Sequence, residues 1–389
     1  MNIPSEFDAI RPFEPEELPE VYDRLLSNPQ FKAVTSYVFP HVPFDAIAQK
    51  MRSCKTSLEF QKAFCYGFLQ DLLAKASTGC DMDISQIDNR KRYTFVSNHR
   101  DIVIDSALLD KLLIDAGFTT TCEIAIGDNL LSLPWVKDLV RVNKSFIVER
   151  GLPMRQMLLS SKRLSEYIHF AISEKHENVW IAQREGRAKD SNDRTQEADL
   201  KMMPMGGQGS IADRLVQLHI VPLAISYEYD PCDFLKAQEF QLKRDQKGWR
   251  KSAQDDVTSM KTGIMGYKGA IHYHCAPCLD DFLKSLDPSM PKNEVYAAIA
   301  EQIDQSIFRN YRLYPCNYVA LDLLQGTERH ADHYTATDKV SFEQYLQGQL
   351  AKIQLENKDE AFLRERILTM YANPAINFLH TVGEGCPRA

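Results

Sequence analysis

Six short apolar runs between Tyr93 and Pro277 alternate with amphipathic stretches, and that alternation limits the fold of this chain more than any other feature. The runs cover residues 93–96, 122–126, 145–148, 179–182, 220–225 and 270–273. Between them, residues 106–116, 130–140, 154–173 and about 209–217 carry helical spacing. Strand and helix signals in this order predict an α/β layer around a central, mainly parallel mixed sheet flanked by helices. In such a sheet the chemistry gathers where strands end and loops begin.

The flanks read differently. Residues 1 to about 90 predict helices, with Leu18, Val21, Leu25 and Leu26 forming one apolar face. Leu58, Phe60, Phe64, Phe68, Leu72 and Leu73 form another. Residues 81–90 read as a polar break. Residues 230–263 are charged, with few strand signals, and read as an inserted, partly helical excursion. From residue 293 helices return, one of them with Tyr296, Ile299, Ile303 and Ile307 as its buried stripe. The expected division is a helical region at 1–90, an α/β domain at 91–280 and a helical region at 281–389.

Composition narrows the classes. A length of 389 residues is too long for one small domain and short for three. A net charge of -7 gives no sign of a nucleic-acid partner. Nine scattered cysteines, an odd number, read as reduced thiols in a cytoplasm. The first seventeen residues are acidic, without the apolar run of a secretory signal. No stretch approaches the roughly 20 apolar residues that span a bilayer. Any contact with lipid is therefore expected from the surface, and the expected location is cytoplasmic, peripheral at the inner face of the membrane. Lys137, Arg141, Lys144, Arg150, Arg155, Lys162 and Arg163 form a basic cluster suited to it.

Four segments could carry chemistry. In Val96-Ser-Asn-His99-Arg100-Asp101-Ile-Val-Ile-Asp105 a strand ends, a histidine occupies the turn and two aspartates follow as a helix begins. Histidine accepts a proton near neutrality, and a carboxylate on its other ring nitrogen fixes the tautomer and stabilises the imidazolium. Alone, the segment reads first as a polar turn with Asp101 as N-cap. In Ser145-Phe-Ile-Val-Glu-Arg150 a strand delivers an arginine, whose planar fork grips phosphate; alone it is a surface arginine. Trp180-Ile-Ala-Gln-Arg-Glu185-Gly186-Arg187 ends a buried strand in charge around a glycine, which permits close backbone approach. Ile220-Val-Pro222-Leu-Ala-Ile-Ser-Tyr227 supplies apolar walls and no catalytic group.

Taken in order, these four segments resemble the four blocks of the glycerolipid acyltransferase family, which includes glycerol-3-phosphate and 1-acylglycerol-3-phosphate acyltransferases. The resemblance runs from about Tyr93 to Pro277. Two departures stand out. Five residues separate His99 from Asp105, one more than the family's gap. Arg187 follows Gly186 directly, displaced by one, without the hydroxyl residue after it. The resemblance implies transfer without a covalent acyl-enzyme. His99 is the implied base, with Asp105 or, at shorter spacing, Asp101 orienting it. Arg100, Arg150, Glu185, Gly186, Arg187 and Pro222 are the implied substrate-binding residues. The implied partners are an acyl-CoA or acyl carrier protein, a glycerophosphate or lysophospholipid acceptor, and a membrane surface. No cofactor is expected, because the thioester is already activated.

Other readings stay open at this point: an amine or amino-acid lipid acceptor, a thioesterase, or a non-catalytic lipid-binding protein. His272-Tyr-His274-Cys275-Ala-Pro-Cys278 places possible zinc ligands close together, but no second ligand pair stands at a standard spacing, so no metal is expected. On a strand, His272 and His274 would share one face. His330-Ala-Asp-His333 reads as a polar loop.

Overall fold

A computed structural model describes residues 3–383. Seven strands form one sheet in the order β1-β7-β6-β2-β5-β3-β4. They are β1 (Gly79–Asp83), β2 (Thr94–Ser97), β3 (Cys122–Gly127), β4 (Ser145–Val148), β5 (Asn178–Ala182), β6 (Ile220–Tyr227) and β7 (Ala270–Cys275). All neighbours are parallel except β6 and β7. The sheet is thus mainly parallel with an inverted edge pair, as the alternation of runs predicts.

Period-two alternation sorts the side chains of the central strands into two cores. Phe95, Trp180, Val221, Leu223 and Ile225 point to one face and pack with Leu108, Leu109 and Leu112 of the helix Ile104–Asp115. Val96, Val179, Ile181, Ile220 and Ala224 point to the other. There they meet Ile168 and Ile172 of the helix Met154–Ser173, and Ile299, Ile303 and Ile307 of the helix Lys292–Arg309.

One boundary differs from the sequence reading. The polar stretch from residue 81 overlaps β1, whose Asp81 and Asp83 pair in register with His272 and His274. Charged residues on an edge strand discourage pairing with a further chain, which is why this strand carries so little apolar signal. The segment after the helix Lys292–Arg309 bonds to the α/β layer. Tyr311 donates to Asp193 at 2.5 Å, and the Arg312 amide donates to Ser226 Oγ at 3.0 Å. The charged excursion contains the helices Asp233–Asp245 and Ala253–Met265. A capping box of Ser252 and Asp255 starts the second.

Candidate active site

The polypeptide leaves the carboxyl end of β2 at Asn98, and this side chain pins the exit. Its Oδ1 accepts from the Ile225 amide at 2.8 Å, and its Nδ2 donates to the Ile225 carbonyl at 2.9 Å. With β2 tied to β6, the next residue, His99, is held over the strand ends. Its ring lies edge-on to Trp180, centroids 5.6 Å apart.

The carboxylate on His99 is that of Asp105. His99 Nδ1 lies 2.7 Å from Asp105 Oδ2. The same oxygen accepts the Arg100 amide at 2.6 Å and the Asp101 amide at 3.0 Å. Asp105 Oδ1 accepts the Tyr227 hydroxyl at 2.9 Å, and the Tyr273 hydroxyl donates to the Asp105 carbonyl at 2.9 Å. Burial pushes the Asp105 carboxyl up, but the His99 contact and the two backbone donors outweigh it, so it is held below the usual carboxylate range. Five intervening residues still close this contact because the first turn of the helix Ile104–Asp115 brings Asp105 back over the loop.

Asp101 has the other role. Its Oδ1 accepts the amides of Val103 and Ile104, both at 2.9 Å, capping the start of that helix. Burial first, and the nearby Asp105 charge second, raise its carboxyl above the ordinary value. The excursion supports this loop from outside. A methyl group built on Gly263 would lie 1.7 Å from Asp101 Oδ2, so only glycine lets the helix Ala253–Met265 approach so closely. Buried Lys236 donates to the Arg100 carbonyl at 3.3 Å and pairs with Asp230.

The remaining residues singled out from the sequence are placed as follows. Arg100 is buried, with Nη2 2.8 Å from Asp193 Oδ2 and its guanidinium over the Tyr311 ring. Asp193 supplies the counter-charge that a buried guanidinium demands, while Arg100 Nη1 is buried without a protein hydrogen-bond partner. Arg150 packs against Gly127 and pairs with Glu185 at 2.7 Å. Arg187 lines a small pocket with Cys232, Lys236 and Lys251, and its charge acts to lower the Asp101 carboxyl. Its Nη1 is buried without a protein hydrogen-bond partner. The two arginines thus face different neighbours. Gly186 has φ +69, the left-handed turn that separates Glu185 from Arg187. Pro222 lies buried in β6 opposite Val96. His272 and His274 do share a face, their rings 6.0 Å apart, and they pair with Asp81 and Asp83. Tyr227, Tyr273 and Gly263 escaped the sequence reading. Tyr227 had a signal, since it closes the fourth block.

An apolar groove of about 340 Å³ runs between the N-terminal helices and the helix Ile104–Asp115. Phe31, Val38, Phe64 and Phe68 line it, and Val103 and Ile104, just beyond the His99 loop, form part of its wall. Among the described residues no helix is long and apolar enough to cross a membrane.

Comparison with known proteins adds the following. Residues 82–226 match the family model described as Acyltransferase. No curated protein matches the chain. Among solved structures, the 1-acyl-sn-glycerophosphate acyltransferase PlsC from Thermotoga maritima aligns at 11% identity, covering 74% of this chain and 94% of that one, with a TM-score of 0.37. So distant a likeness carries no argument about substrate. The family match encloses His99, Asp105, Arg150, Glu185 and Arg187 and ends one residue before Tyr227: residues 82–226 are an acyltransferase domain, and the chain that carries them is an acyltransferase.

Proposed function

We propose that this enzyme moves a fatty acyl group from an acyl-CoA or acyl-carrier-protein thioester to a hydroxyl of glycerol-3-phosphate or 1-acylglycerol-3-phosphate. The observation that carries this reading is the His99–Asp105 contact inside the acyltransferase domain. With Nδ1–H donated to Asp105, Nε2 is the basic nitrogen of His99. It takes the proton of the acceptor hydroxyl as the oxygen attacks the thioester carbonyl. The carbon–sulfur bond then breaks, and the leaving thiolate takes the proton back from the imidazolium. Asp105 stabilises that imidazolium without itself being protonated.

The apolar groove supports a long acyl chain, since its wall begins beside the His99 loop. For the acceptor phosphate the cation assigned in this reading is Arg150. Its partner Glu185 is largely exposed, and an exposed ion pair is weak enough for a phosphate to displace. The experiment is a turnover assay with one acyl thioester and a panel of acceptors, run on the wild type and on Arg150→Lys. Phosphorylated acceptors should react, and the lysine variant should raise their KM several-fold while leaving kcat nearly unchanged. Preference for unphosphorylated or amine acceptors, or release of free acid alone, would overturn the acceptor assignment.

Contact with a membrane is also part of this reading. Residues 154–159, the first turns of the helix Met154–Ser173, are all exposed and include Met154, Met157, Leu158 and Leu159. Arg155 lies among them, and Lys137 and Lys162 flank them in sequence, Lys162 in an exposed pair with Glu166. Arg141, Lys144 and Arg163 of the basic cluster are instead engaged by Asp8 and Arg11 carbonyls, by Glu177 and by Glu149. Co-sedimentation with anionic vesicles should fall in Leu158→Asp and with rising salt; equal pelleting of wild type and variant would remove this surface from the reading.

A further inference from the structure

Cys278 does not join His272 and His274. The antiparallel pairing of β6 and β7 brings the residues after β7 to the start of β6, at the rim opposite His99. There the Leu279 amide donates to the Ile220 carbonyl at 2.8 Å, and the Ala276 amide to the Pro222 carbonyl at 2.9 Å. These bonds hold Cys278 and Asp280 beside His219, a residue 59 positions earlier in the chain than Cys278. His219 Nδ1 is 2.7 Å from Asp280 Oδ2, and Cys278 Sγ is 3.2 Å from Asp280 Oδ1. One ligand atom from each of the three residues lies within 4.8 Å of the other two.

A second feature accompanies the cluster, one that His219 shares with Lys144, His176 and Ser191 among the described non-glycine residues. His219 has φ +47, in the left-handed region that non-glycine residues seldom enter. The turn that imposes it is closed by the Leu218 amide on the Leu215 carbonyl and the His219 amide on the Val216 carbonyl. Strained residues persist where the surroundings over-determine them, and they concentrate at ligand-binding positions. An ordinary surface histidine–carboxylate pair requires neither this backbone nor a thiol on the second carboxylate oxygen.

We propose that His219, Cys278 and Asp280 bind a divalent cation of the zinc class. Imidazole nitrogen, thiolate sulfur and carboxylate oxygen are the donors zinc prefers, whereas calcium and magnesium take oxygen alone. On binding, the thiol proton passes to solvent, and the two negative ligands balance the ion's charge. Three protein ligands leave a fourth position for water. The ion would clip the turn before β6 to the helix Asp280–Ser285. That is a stabilising role, independent of the reading given to His99.

The test is titration of the full chain, freed of metal by chelator, with Co²⁺ as the spectroscopic probe. A thiolate-to-cobalt charge-transfer band should appear in the wild type, vanish in Cys278→Ser and persist in Cys80→Ser. Asparagine tolerates the left-handed backbone. His219→Asn should therefore stay folded yet weaken binding by at least the roughly 10–100-fold that even an outer-shell loss costs. No band in the wild type, a band that survives Cys278→Ser, or unchanged affinity in a folded His219→Asn would overturn the site.

Discussion

At one end of the sheet His99 Nδ1 lies 2.7 Å from an Asp105 oxygen; at the other end His219 Nδ1 lies 2.7 Å from an Asp280 oxygen. The distances are the same and the surroundings are not. The side chains of the first pair are 12% and 0% exposed, those of the second 46% and 21%. Asp105 also accepts two backbone amides and a tyrosine hydroxyl, so it has one orientation and no access to water. Asp280 shares its carboxylate with a thiol and faces solvent. An electrostatic contact gains strength as the effective dielectric falls. The same 2.7 Å contact therefore fixes a tautomer and supports a developing charge in one place, and does much less in the other. A histidine–aspartate distance taken alone does not identify a general base.

The largest expected effect breaks the comparison outright. His99→Ala should lower the transfer rate by about 10²–10⁴-fold, the usual worth of a general base. His219→Asn, at the other rim, should leave the rate within about twofold, because it touches no reacting group. Steady-state kinetics on both folded variants checks this. Comparable losses in the two would mean that the His99 loop is not where the proton moves.

The next test separates the two aspartates near His99. Asp105→Asn can keep its amide oxygen at the Oδ2 position, because two backbone amides require an acceptor there, with the amide nitrogen toward Tyr227. Geometry then survives and the negative charge does not. A hydrogen bond to a charged group contributes about 1.5–3 kcal/mol, so the rate should fall roughly 10–10²-fold. Asp101→Asn retains an oxygen to cap the helix and removes a charge that burial already disfavours. Its rate should stay near wild type and its melting temperature should hold or rise. Equal losses in the two variants would show that both carboxylates serve His99.

Much of this arrangement is legible in the sequence, and the reasons for the gaps are physical. The central strands β2, β5 and β6 announced themselves because both faces are buried, which leaves short apolar runs. β1 did not, since an edge strand alternating Cys80 and Met82 with aspartates resembles a loop. The choice between Asp105 and Asp101 could not be made from spacing, because the first helical turn decides which carboxylate returns to the histidine. Arg100 read as a binding residue because it adjoins His99, yet its partner Asp193 lies 93 residues away. Gly263 carried no local signal: its requirement arises only where the excursion meets Asp101. His219 and Cys278 illustrate the same limit, since no spacing rule joins ligands that a β6–β7 pairing brings together.

The smallest expected effect sharpens the comparison by removing one feature that the exposed pair lacks. Tyr227→Phe deletes only the hydroxyl on Asp105 Oδ1 and leaves a buried carboxylate oxygen without a donor. The cost to stability should be about 1–3 kcal/mol, with the rate down only a few-fold, because Oδ2 still holds His99. The pH dependence distinguishes this account from a simple packing defect. Asp105 has a folded-state pKa below its ordinary value, so its stabilising contribution is present above the unfolded pKa and is lost as pH falls through the folded one. Loss of the Tyr227 donor makes the folded carboxylate less favourable and shrinks that contribution. The variant's deficit should therefore be full near neutrality and should narrow only as pH falls through the folded-state pKa of Asp105 in the two proteins, because the unfolded carboxyl is common to both and cancels. A packing defect would keep the same deficit across that range. Denaturant melts of the wild type and Tyr227→Phe, taken in steps from pH 7 down to the onset of acid unfolding, measure the difference. A deficit that is constant with pH would mean that Tyr227 fills space beside Asp105 without stabilising its charge, and the buried pair would then owe its strength to the two backbone amides.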